Sequence, residues 1–204
     1  MSGKAPAAIV MFVHGYGADG SDLIGLADQL APLLPDALFL SPDAPGRMAH
    51  GGREWFPLTM RDPSEYKRGV EAAAPALDRY IDAELARYGL DDGRLALVGF
   101  SQGTMMSLQV AYRRSSPIAA VVGFSGLCAG ADGAVNPAPT LLIHGTHDEV
   151  LPAGMTLQAS QTLGEAGIPV EWHFRPGLGH GIDPDGLAMA GDHLATHLSK
   201  VTQR

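Results

Sequence analysis

The sequence predicts an α/β fold in which a mostly parallel sheet of about six strands carries helices on both faces. Short apolar runs alternate along the chain with longer segments of helical periodicity, and several of these runs are continuously apolar except for a single polar residue near one end. Parallel strands need crossover helices and are buried on both faces, so their sequences are continuously apolar. A chain of 204 residues is long enough for a sizeable core, and we expect residues 1–204 to form a single domain.

Each predicted element follows from its local pattern. The runs that we interpret as strands lie at residues 8–13, 37–42, 94–100, 119–125, 140–145 and 170–174. The segments that we interpret as helices lie at residues 21–34, 64–88, 101–114, 152–166 and 185–201. Ser21 is the expected N-cap of the first helix, and Pro75 is expected to kink or split the second. Residues 126–139 are rich in Gly, Ala, Asn and Pro, which predicts a loop.

Charge and composition exclude several kinds of partner. The formal net charge is −8 and the isoelectric point about 5.3, and such an acidic surface repels nucleic acid and anionic membranes. No run approaches the roughly 18 apolar residues of a membrane helix. The apolar stretch Ala5–Val13 leads directly into a glycine loop, which indicates a buried strand rather than a signal sequence. Cys128 is the single cysteine, which excludes an intrachain disulfide and favours a cytoplasmic location.

A candidate nucleophile stands at the junction of a predicted strand and a predicted helix. The stretch GFSQG, residues 99–103, matches G-x-S-x-G with Ser101 at its centre. In this motif a sharp turn lifts the serine hydroxyl clear of the sheet, and side chains at Gly99 or Gly103 would collide with the neighbouring strand or helix. The motif is common by chance, so Ser101 needs support from elsewhere in the chain.

Two further candidate residues follow later strands. Asp148 comes just after the fifth predicted strand, in HGTHDEV, and His180 follows the sixth, in GLGHGI. The carboxyl ends of parallel strands meet at one edge of a sheet, and the chain order serine, aspartate, histidine is that of α/β-hydrolases. A serine hydroxyl needs an adjacent base, so His180 is expected to take its proton while Asp148 orients the imidazole. Glu149 and, more remotely, Asp183 are rival acids.

The other histidines are expected to be structural. His14 and His144 stand at strand ends, and His173 lies inside a strand. His193 and His197 are four residues apart on one helical face, a spacing that could hold a metal ion. The segment HLATH lacks the glutamate of H-E-x-x-H, and no third ligand is evident. We therefore expect a solvent-facing helix and no metal site.

The stretch HGYGADG after the first strand allows two interpretations. Gly15, Gly17 and Gly20 spell G-x-G-x-x-G between a strand and a helix. Asp43 ends the next strand at about the distance of a ribose-binding acid, so one interpretation is a dinucleotide site. The other is an oxyanion loop, in which a bend at the glycines turns the Tyr16 N–H toward a reacting carbonyl.

An oxyanion hole needs two N–H donors. In a G-x-S-x-G hydrolase one donor belongs to the residue after the nucleophile, here Gln102, and the other to the loop after an early strand, here at Tyr16. This interpretation explains Gly15 and Gly17 without a cofactor, and it agrees with three catalytic residue types at three strand ends. We therefore favour the oxyanion loop over the dinucleotide site and expect no cofactor.

Four stretches together make the chain resemble a known family. HGYGADGSDL, GFSQG, HGTHDEVLP and GLGH occur in this order across nearly the whole chain. They are similar to the motifs of the phospholipase/carboxylesterase family of α/β-hydrolases, which includes acyl-protein thioesterases and small bacterial carboxylesterases. The resemblance implies an α/β-hydrolase fold in which Ser101, Asp148 and His180 form a catalytic triad, with Tyr16 and Gln102 supplying the oxyanion hole.

The resemblance also indicates where an acyl pocket would lie. Trp55 and Phe56, in EWFP, match an aromatic pair that borders the acyl pocket in the family, and Val150 would pack beside His180. Because the aromatic pair stands in a long predicted loop, residues 42–57, burial in the core is less automatic for it than for a helix residue. Leu127, after the fourth predicted strand, is a further candidate wall of the pocket.

The expected substrates are small acyl esters. The chain departs from the family pattern at Thr104, where many members have glycine, and at Pro57, where an aspartate often follows the aromatic pair. No segment is long enough to form a lid, so we expect a minimal, lidless hydrolase of short- or medium-chain esters, with thioesters or lysophospholipids as alternatives. An acyl-protein or acyl-CoA-type thioesterase is the second candidate. Family members often pair, which makes a homodimer a further expectation.

Overall fold

The computed structural model describes residues 5–59, 62 and 64–202. Its strands are β1 (Ala8–Val13), β2 (Ala37–Leu40), β3 (Gly46–Arg47), β4 (Arg53–Glu54), β5 (Leu95–Phe100), β6 (Ala120–Phe124), β7 (Thr140–Gly145) and β8 (Val170–Arg175). Six of them form one parallel sheet in the order β2-β1-β5-β6-β7-β8. The predicted parallel sheet is confirmed, and each strand boundary lies within two residues of the predicted one.

The helices are α1 (Gly20–Ile24), α2 (Ala27–Leu30), α3 (Ser64–Tyr88), α4 (Gln102–Ala111), α5 (Gly154–Glu165) and α6 (Pro184–Thr202). The single helix predicted at residues 21–34 is instead two short helices. The expected cap is also wrong, because the N-cap of α1 is Asp19, whose carboxylate accepts the Ser21 N–H at 2.8 Å. Gly25 follows α1, and glycine is a poor residue for continuing a helix.

The helix α3 corrects the expectation of a break at Pro75. It runs without interruption from Ser64 to Tyr88. A proline inside a helix removes one backbone hydrogen bond and crowds the preceding turn. Packing against α4 offsets this loss, because α3 buries an apolar stripe at helical spacing on both sides of the proline. The residues of this stripe are Val70, Ala73, Leu77, Ile81 and Leu85.

The core lies in two layers, one on each face of the sheet. Side chains of β1 alternate between them, with Ile9 and Met11 in one layer and Val10 and Phe12 in the other. The first layer packs under α3, α4 and α5, and the second packs under α1, α2 and α6. The edge strands β2 and β8 have no fully buried residue. The continuously apolar central strands are thus covered on both faces, as the sequence predicts.

The strand register brings the loops of interest to one edge. Val13 pairs with Gly99, and Phe100 pairs with Phe124, so the loops after β1, β5 and β6 leave the sheet side by side. The antiparallel pair β3 and β4 lies inside the loop predicted at residues 42–57 and was not expected. Two-residue strands are too short to show an alternating pattern in a sequence.

Helix length and composition determine whether a helix could cross a membrane. The longest helices are α3, with 25 residues, and α6, with 19. In the part of the chain that the structure describes, neither these nor any other helix is apolar enough over sufficient length to cross a membrane.

A cluster of ion pairs ties α3 to the segment after α4. The Arg114 guanidinium contacts the carboxylates of Asp78, Asp82 and Asp92. Its Nη2 lies 2.7 Å from Asp82 and 2.6 Å from Asp92, and both Arg114 and Asp92 are 7% exposed. The Asp92 carboxylate also accepts the Ser116 N–H at 3.2 Å. Removal of the arginine would leave the buried charge of Asp92 without its cation.

We expect Arg114→Ala to lower the free energy of unfolding by about 3–5 kcal/mol, because it breaks a buried ion pair from one side. Urea denaturation measures this loss. The matched control is Arg68→Ala, which removes an exposed ion pair with Asp62 and should cost less than about 1 kcal/mol. Equal losses in the two variants would contradict the assignment of Arg114 as the centre of a buried cluster.

Candidate active site

Ser101 occupies a strained turn between β5 and α4. Its backbone angles are φ 54° and ψ −116°, in a region that residues other than glycine rarely adopt. Its N–H donates to the carbonyl oxygen of Phe124 at 2.9 Å, so the turn is anchored to the neighbouring strand β6. The serine is 8% exposed and immediately precedes α4. This is the sharp strand-to-helix turn that the G-x-S-x-G motif predicts.

The glycines on either side of Ser101 are sterically required. A Cβ atom at Gly103 would lie 1.8 Å from the carbonyl oxygen of Val13 in β1. A Cβ at Gly99 would lie 2.5 Å from the carbonyl oxygen of Gly103, in the first turn of α4. Both contacts are with backbone, which has no alternative rotamer. The collisions predicted from the motif are therefore found at both positions.

Thr104, where many members of the family have glycine, fills space that two other glycines leave open. Its hydroxyl lies 2.9 Å from the carbonyl oxygens of both Gly99 and Phe124. A Cβ atom would come within 2.5 Å of the Thr104 side chain at Gly123 and within 2.3 Å at Gly126. The departure from the family pattern is thus accommodated by small residues in and after β6.

Asp148 and His180 are brought together by the loops after β7 and β8. The His180 Nδ1 atom lies 2.7 Å from Asp148 Oδ2. The other carboxylate oxygen, Oδ1, accepts the N–H groups of Val150 at 2.9 Å and Leu151 at 2.8 Å. Burial by itself would raise the pKa of Asp148, but the hydrogen bonds from Leu151, His180 and Val150 hold it below its usual value. The carboxylate is therefore charged at neutral pH and is fixed from both sides.

His180 reaches the neighbourhood of Ser101 through Phe100. The His180 and Phe100 rings lie 4.9 Å apart between their centres, and Phe100 directly precedes Ser101. Among the described residues the Ser101 hydroxyl forms no hydrogen bond, to His180 or to any other side chain. In unliganded enzymes such contacts are often long and tighten when substrate binds. The structure thus joins the acid to the histidine and places the serine at the same strand edge.

The two rival acids lie elsewhere. Glu149 is exposed to solvent. Asp183 accepts the Arg175 Nε–H at 2.8 Å with one oxygen and the Gly186 N–H at 2.8 Å with the other. Arg175 and the start of α6 therefore engage both of its carboxylate oxygens, and Asp148 is the carboxylate that meets His180.

The loop after β1 runs beside the serine and is held by a buried histidine. A Cβ atom at Gly15 would lie 3.3 Å from Ser101 Cβ. His14 is fully buried, its Nε2 accepts the Ala44 N–H at 3.0 Å, and its Nδ1 donates to the Gly15 carbonyl oxygen at 2.8 Å. In a trans peptide the N–H points opposite to the C=O, so the anchored Gly15 oxygen turns the Tyr16 N–H away from His14.

Gln102 connects the start of α4 to the segment after β4. Its side chain is fully buried, with Oε1 accepting the Trp55 N–H at 2.9 Å and Nε2 donating to the Phe56 carbonyl oxygen at 2.8 Å. The Trp55 indole N–H in turn donates to the His14 carbonyl oxygen at 3.0 Å. These clamps were missed in the sequence because they join residues more than 40 positions apart.

Both predicted oxyanion donors remain available. In the described part of the chain, neither the Tyr16 N–H nor the Gln102 N–H has a protein acceptor. A helix N-terminus leaves its first N–H groups unpaired and carries a partial positive charge, which favours an anion at Gln102. The Tyr16 side chain is 40% exposed, so this loop borders solvent.

The four predicted pocket residues have different surroundings. Trp55 and Phe56 are 6% and 3% exposed and belong to the core layer under α3, so they are buried although they lie in a loop, where burial was expected to be less automatic. Their burial follows from the Gln102 clamp, which holds the loop against α4. Leu127 packs in the same layer, whereas Val150 is 55% exposed and contacts Asp148 through its N–H.

The residues that would form the dinucleotide site make hydrogen bonds and an ion pair with other residues of the protein. The Gly20 N–H donates to Asp43 Oδ1 at 2.9 Å, and Arg53 pairs with Asp43 Oδ2 at 2.9 Å. A Cβ atom at Gly20 would lie 2.2 Å from the Ser41 carbonyl oxygen, so close packing explains this glycine. A pyrophosphate or a ribose would have to displace these contacts, which makes the dinucleotide interpretation the weaker one.

The other side chains considered for metal binding or nucleophilic attack are those of His193, His197 and Cys128. The His193 and His197 rings lie 4.6 Å apart, and His193 Nε2 is 3.4 Å from the Pro139 carbonyl oxygen. Within the described residues, no three His, Cys, Asp or Glu side chains are placed to hold a metal ion. Cys128 is partly buried, and burial raises the pKa of its thiol. A thiol with a raised pKa is a poor nucleophile at neutral pH.

Known proteins resemble this chain in sequence and in fold. A profile described as phospholipase/carboxylesterase matches residues 1–198. Esterase YpfH of Escherichia coli is 29% identical over 201 residues, which cover 97% of this chain and 86% of that protein. Acyl-protein thioesterase 1 of Gibberella zeae is 26% identical over 202 residues, covering 88% and 86%. The crystal structure of esterase PE8 is 37% identical, with a TM-score of 0.91 over 95% of this chain and 94% of that one.

We expect Gly103→Ala to prevent folding or to destabilise the protein by more than about 4 kcal/mol, because the new methyl group meets backbone in β1. Soluble yield and thermal unfolding measure the effect. Gly164→Ala is the matched control, since a Cβ atom there would meet nothing within 4 Å inside α5. That substitution should be neutral or stabilise the protein by up to about 1 kcal/mol. A Gly103→Ala protein with unchanged stability would contradict the close approach.

Proposed function

Because the chain belongs to the phospholipase/carboxylesterase family, we propose that it hydrolyses carboxylic esters of short to medium acyl chains through an acyl-enzyme on Ser101. The observation that carries this proposal is the hydrogen bond between His180 and Asp148 at the strand edge where Ser101 occupies a strained turn. A serine hydroxyl is a weak nucleophile at neutral pH until an adjacent base takes its proton. These residues provide a nucleophile, a base and an orienting carboxylate.

Acylation begins with attack of the Ser101 oxygen on the ester carbonyl carbon. His180 Nε2 takes the hydroxyl proton, and Asp148 stabilises the resulting imidazolium through its contact with Nδ1. When the tetrahedral intermediate collapses, the C–O bond to the alcohol breaks and His180 returns the proton to the leaving oxygen. Water then repeats the sequence on the acyl-enzyme, which releases the carboxylic acid and restores Ser101.

The tetrahedral intermediate carries a negative oxygen that needs donors. We assign these donors to the backbone N–H groups of Tyr16 and Gln102. Support comes from the close approach of Gly15 to Ser101, where an added Cβ atom would lie 3.3 Å from Ser101 Cβ. The unpaired N–H of each residue and the His14 contact that turns the Gly15–Tyr16 peptide also support it. Loss of one such donor typically costs about 3–4 kcal/mol of barrier.

The proposed substrates are soluble acyl esters, with thioesters and lysophospholipids as alternatives. Esterase YpfH and esterase PE8 support the ester, and the relatives named acyl-protein thioesterase 1 favour a thioesterase as the second candidate. The acyl group would bind near Trp55, Phe56, Leu127 and Val150. Neither a cofactor nor a metal ion takes part in the proposed mechanism. A cytoplasmic location and a homodimer stay predictions, and the mass in solution from light scattering tests the second.

We expect Ser101→Ala to lower kcat/KM for p-nitrophenyl butyrate by about 10⁴-fold or more while the protein stays folded. The reason is that no acyl-enzyme forms without the hydroxyl. Ser107→Ala is the matched control, because Ser107 is fully buried in α4 and its hydroxyl donates to the Gly103 carbonyl oxygen within the same helix.

A fluorophosphonate probe provides an independent check of the nucleophile. It should label the wild type and the Ser107→Ala protein, and it should not label Ser101→Ala. Labelling of Ser101→Ala, or ester hydrolysis retained in that variant, would overturn the assignment of Ser101.

We also expect esters of graded acyl length to be hydrolysed without interfacial activation. The segment 53–56 is held down by the Gln102 clamp rather than free to open and close over the serine. Initial rates should therefore rise smoothly through the critical micelle concentration of each substrate. A sharp increase confined to concentrations above that threshold would contradict the prediction.

A further inference from the structure

A second histidine lies against the carboxylate that His180 uses, and the proposed mechanism assigns it no part. His144, in β7, is 1% exposed as a residue and its side chain is fully buried. Its Nε2 atom lies 2.9 Å from the Leu151 carbonyl oxygen and 3.1 Å from Asp148 Oδ2. Its Nδ1 atom lies 2.8 Å from the Thr156 hydroxyl in α5.

The partners of His144 fix which of its nitrogens carries the proton. A carbonyl oxygen only accepts hydrogen bonds, so Nε2 must be the protonated nitrogen facing Leu151. In the neutral ring Nδ1 is then an acceptor, and the Thr156 hydroxyl donates to it. The Nε2–H donates to the Leu151 carbonyl oxygen, and Asp148 Oδ2 lies beside it, 3.1 Å from Nε2. Both nitrogens are engaged, so His144 itself has no free nitrogen with which to act as a base.

We propose that His144 is a positioning residue, which holds the Asp148 carboxylate in the orientation that presents Oδ2 to His180. This inference rests on the proposed function, in which Asp148 orients the catalytic base. The carboxylate then lies between two histidines, with His180 2.7 Å and His144 3.1 Å from the same oxygen.

One route of action is mechanical and runs through the turn after Asp148. The Leu151 backbone contacts both partners, because its N–H donates to Asp148 Oδ1 at 2.8 Å while its carbonyl oxygen accepts from His144. The Val150 N–H donates to the same Oδ1 at 2.9 Å. His144 therefore fastens to β7 the turn whose N–H groups set the carboxylate plane.

The other route is electrostatic. The Nε2–H of His144 places a partial positive charge beside Oδ2, so part of the carboxylate charge is compensated before His180 meets it. Without that donor, Oδ2 would stabilise the imidazolium form of His180 more strongly. The base would then hold its proton to higher pH, and the acidic limb of the activity profile would move upward.

Few charged groups surround Asp148 and its two histidines, His144 and His180. In the described part of the chain, the ionisable side chains that contact Asp148 are His144 and His180. His147 bonds the Thr146 hydroxyl, and Asp183, in the loop before α6, pairs with Arg175. From α5, the side chain that contacts His144 is the neutral Thr156. From β5, the side chain that contacts His180 is the neutral Phe100. A shift of the acidic limb can therefore be attributed to the changed contact with His144.

Two amide variants separate the roles of the two nitrogens. The Gln side chain places its NH₂ group near the position of Nε2, so His144→Gln can still donate to Leu151 and Asp148. The Asn side chain reaches only the position of Nδ1, so His144→Asn keeps a partner for Thr156 and loses the donor to Asp148. For His144→Asn we expect kcat to fall about 10-fold with little change in KM. We also expect the acidic limb of kcat/KM to rise by about 0.5–1 pH unit.

His144→Gln should recover most of kcat and return the acidic limb toward that of the wild type. A merely structural role for His144 predicts equal thermal destabilisation of the two variants and an unmoved limb, and that result would overturn the proposal. Thr156→Val gives a third variant, which removes the hydroxyl beside Nδ1 while the Leu151 carbonyl oxygen and Asp148 keep the ring proton on Nε2. It should leave the acidic limb near that of the wild type. A limb that shifts in Thr156→Val as far as in His144→Asn would also count against the proposal.

A measurement on the unaltered protein completes the test even where a variant fails to fold. The ¹⁵N chemical shifts of the wild-type imidazoles should show a proton on His144 Nε2, and a proton on Nδ1 alone would overturn the proposal. The proposed function and the proposed role of His144 are refuted by different results. Wild-type activity that survives in Ser101→Ala refutes the proposed function, whereas a Ser101-dependent activity that His144→Asn leaves unchanged in rate and pH profile refutes only the role of His144.

Discussion

The close approach of α4 to the backbone of β1 is the constraint on which the rest of the site depends. At Gly103 the first turn of the helix comes so near to Val13 that even a methyl group would overlap a carbonyl oxygen. This approach forces Ser101 into its left-handed turn and aims the unpaired N–H groups of the helix at the strand edge. The strain of the turn is held by the parallel sheet on either side, because β5 lies between β1 and β6 and is buried by both core layers.

Buried polar side chains then fix the loops that the sheet leaves free. His14, Gln102 and His144 each have both of their hydrogen-bonding positions occupied, mostly by backbone groups. A buried polar group without a partner is costly, so each of these side chains favours one loop conformation over the alternatives. The loop after β1, the Trp55 segment and the turn after Asp148 are thereby held before any substrate arrives. Donors fixed in advance need no reorganisation as charge develops.

Hydrogen bonds to fixed loops also allow a charged side chain to be buried beside His180. Asp148 is a buried carboxylate, which burial alone would disfavour, yet backbone N–H groups and His180 keep its pKa low. Asp148 is therefore charged at neutral pH, although among the described residues no arginine or lysine contacts it. The ion cluster at Arg114 meets the same requirement by different means, with one guanidinium shared among three carboxylates remote from Ser101. In both places a buried charge is tolerated because hydrogen-bonding or oppositely charged partners surround it.

Periodicity in the sequence was sufficient for the parallel sheet, and motif spacing and chain order were sufficient for the strand-end positions of Ser101, Asp148 and His180. The family followed from the resemblance of four short stretches to known motifs. Local patterns failed where distant residues decide. Pro75 stays inside a helix because α4 packs against it, Asp19 rather than Ser21 caps α1, and Trp55 is buried because Gln102 holds it. The pairing of Gly20 with Asp43 and of His144 with Asp148 likewise appears only once the strands are side by side. Hydrogen bonds across such separations leave no periodic trace in a sequence, so only the tertiary structure decided them.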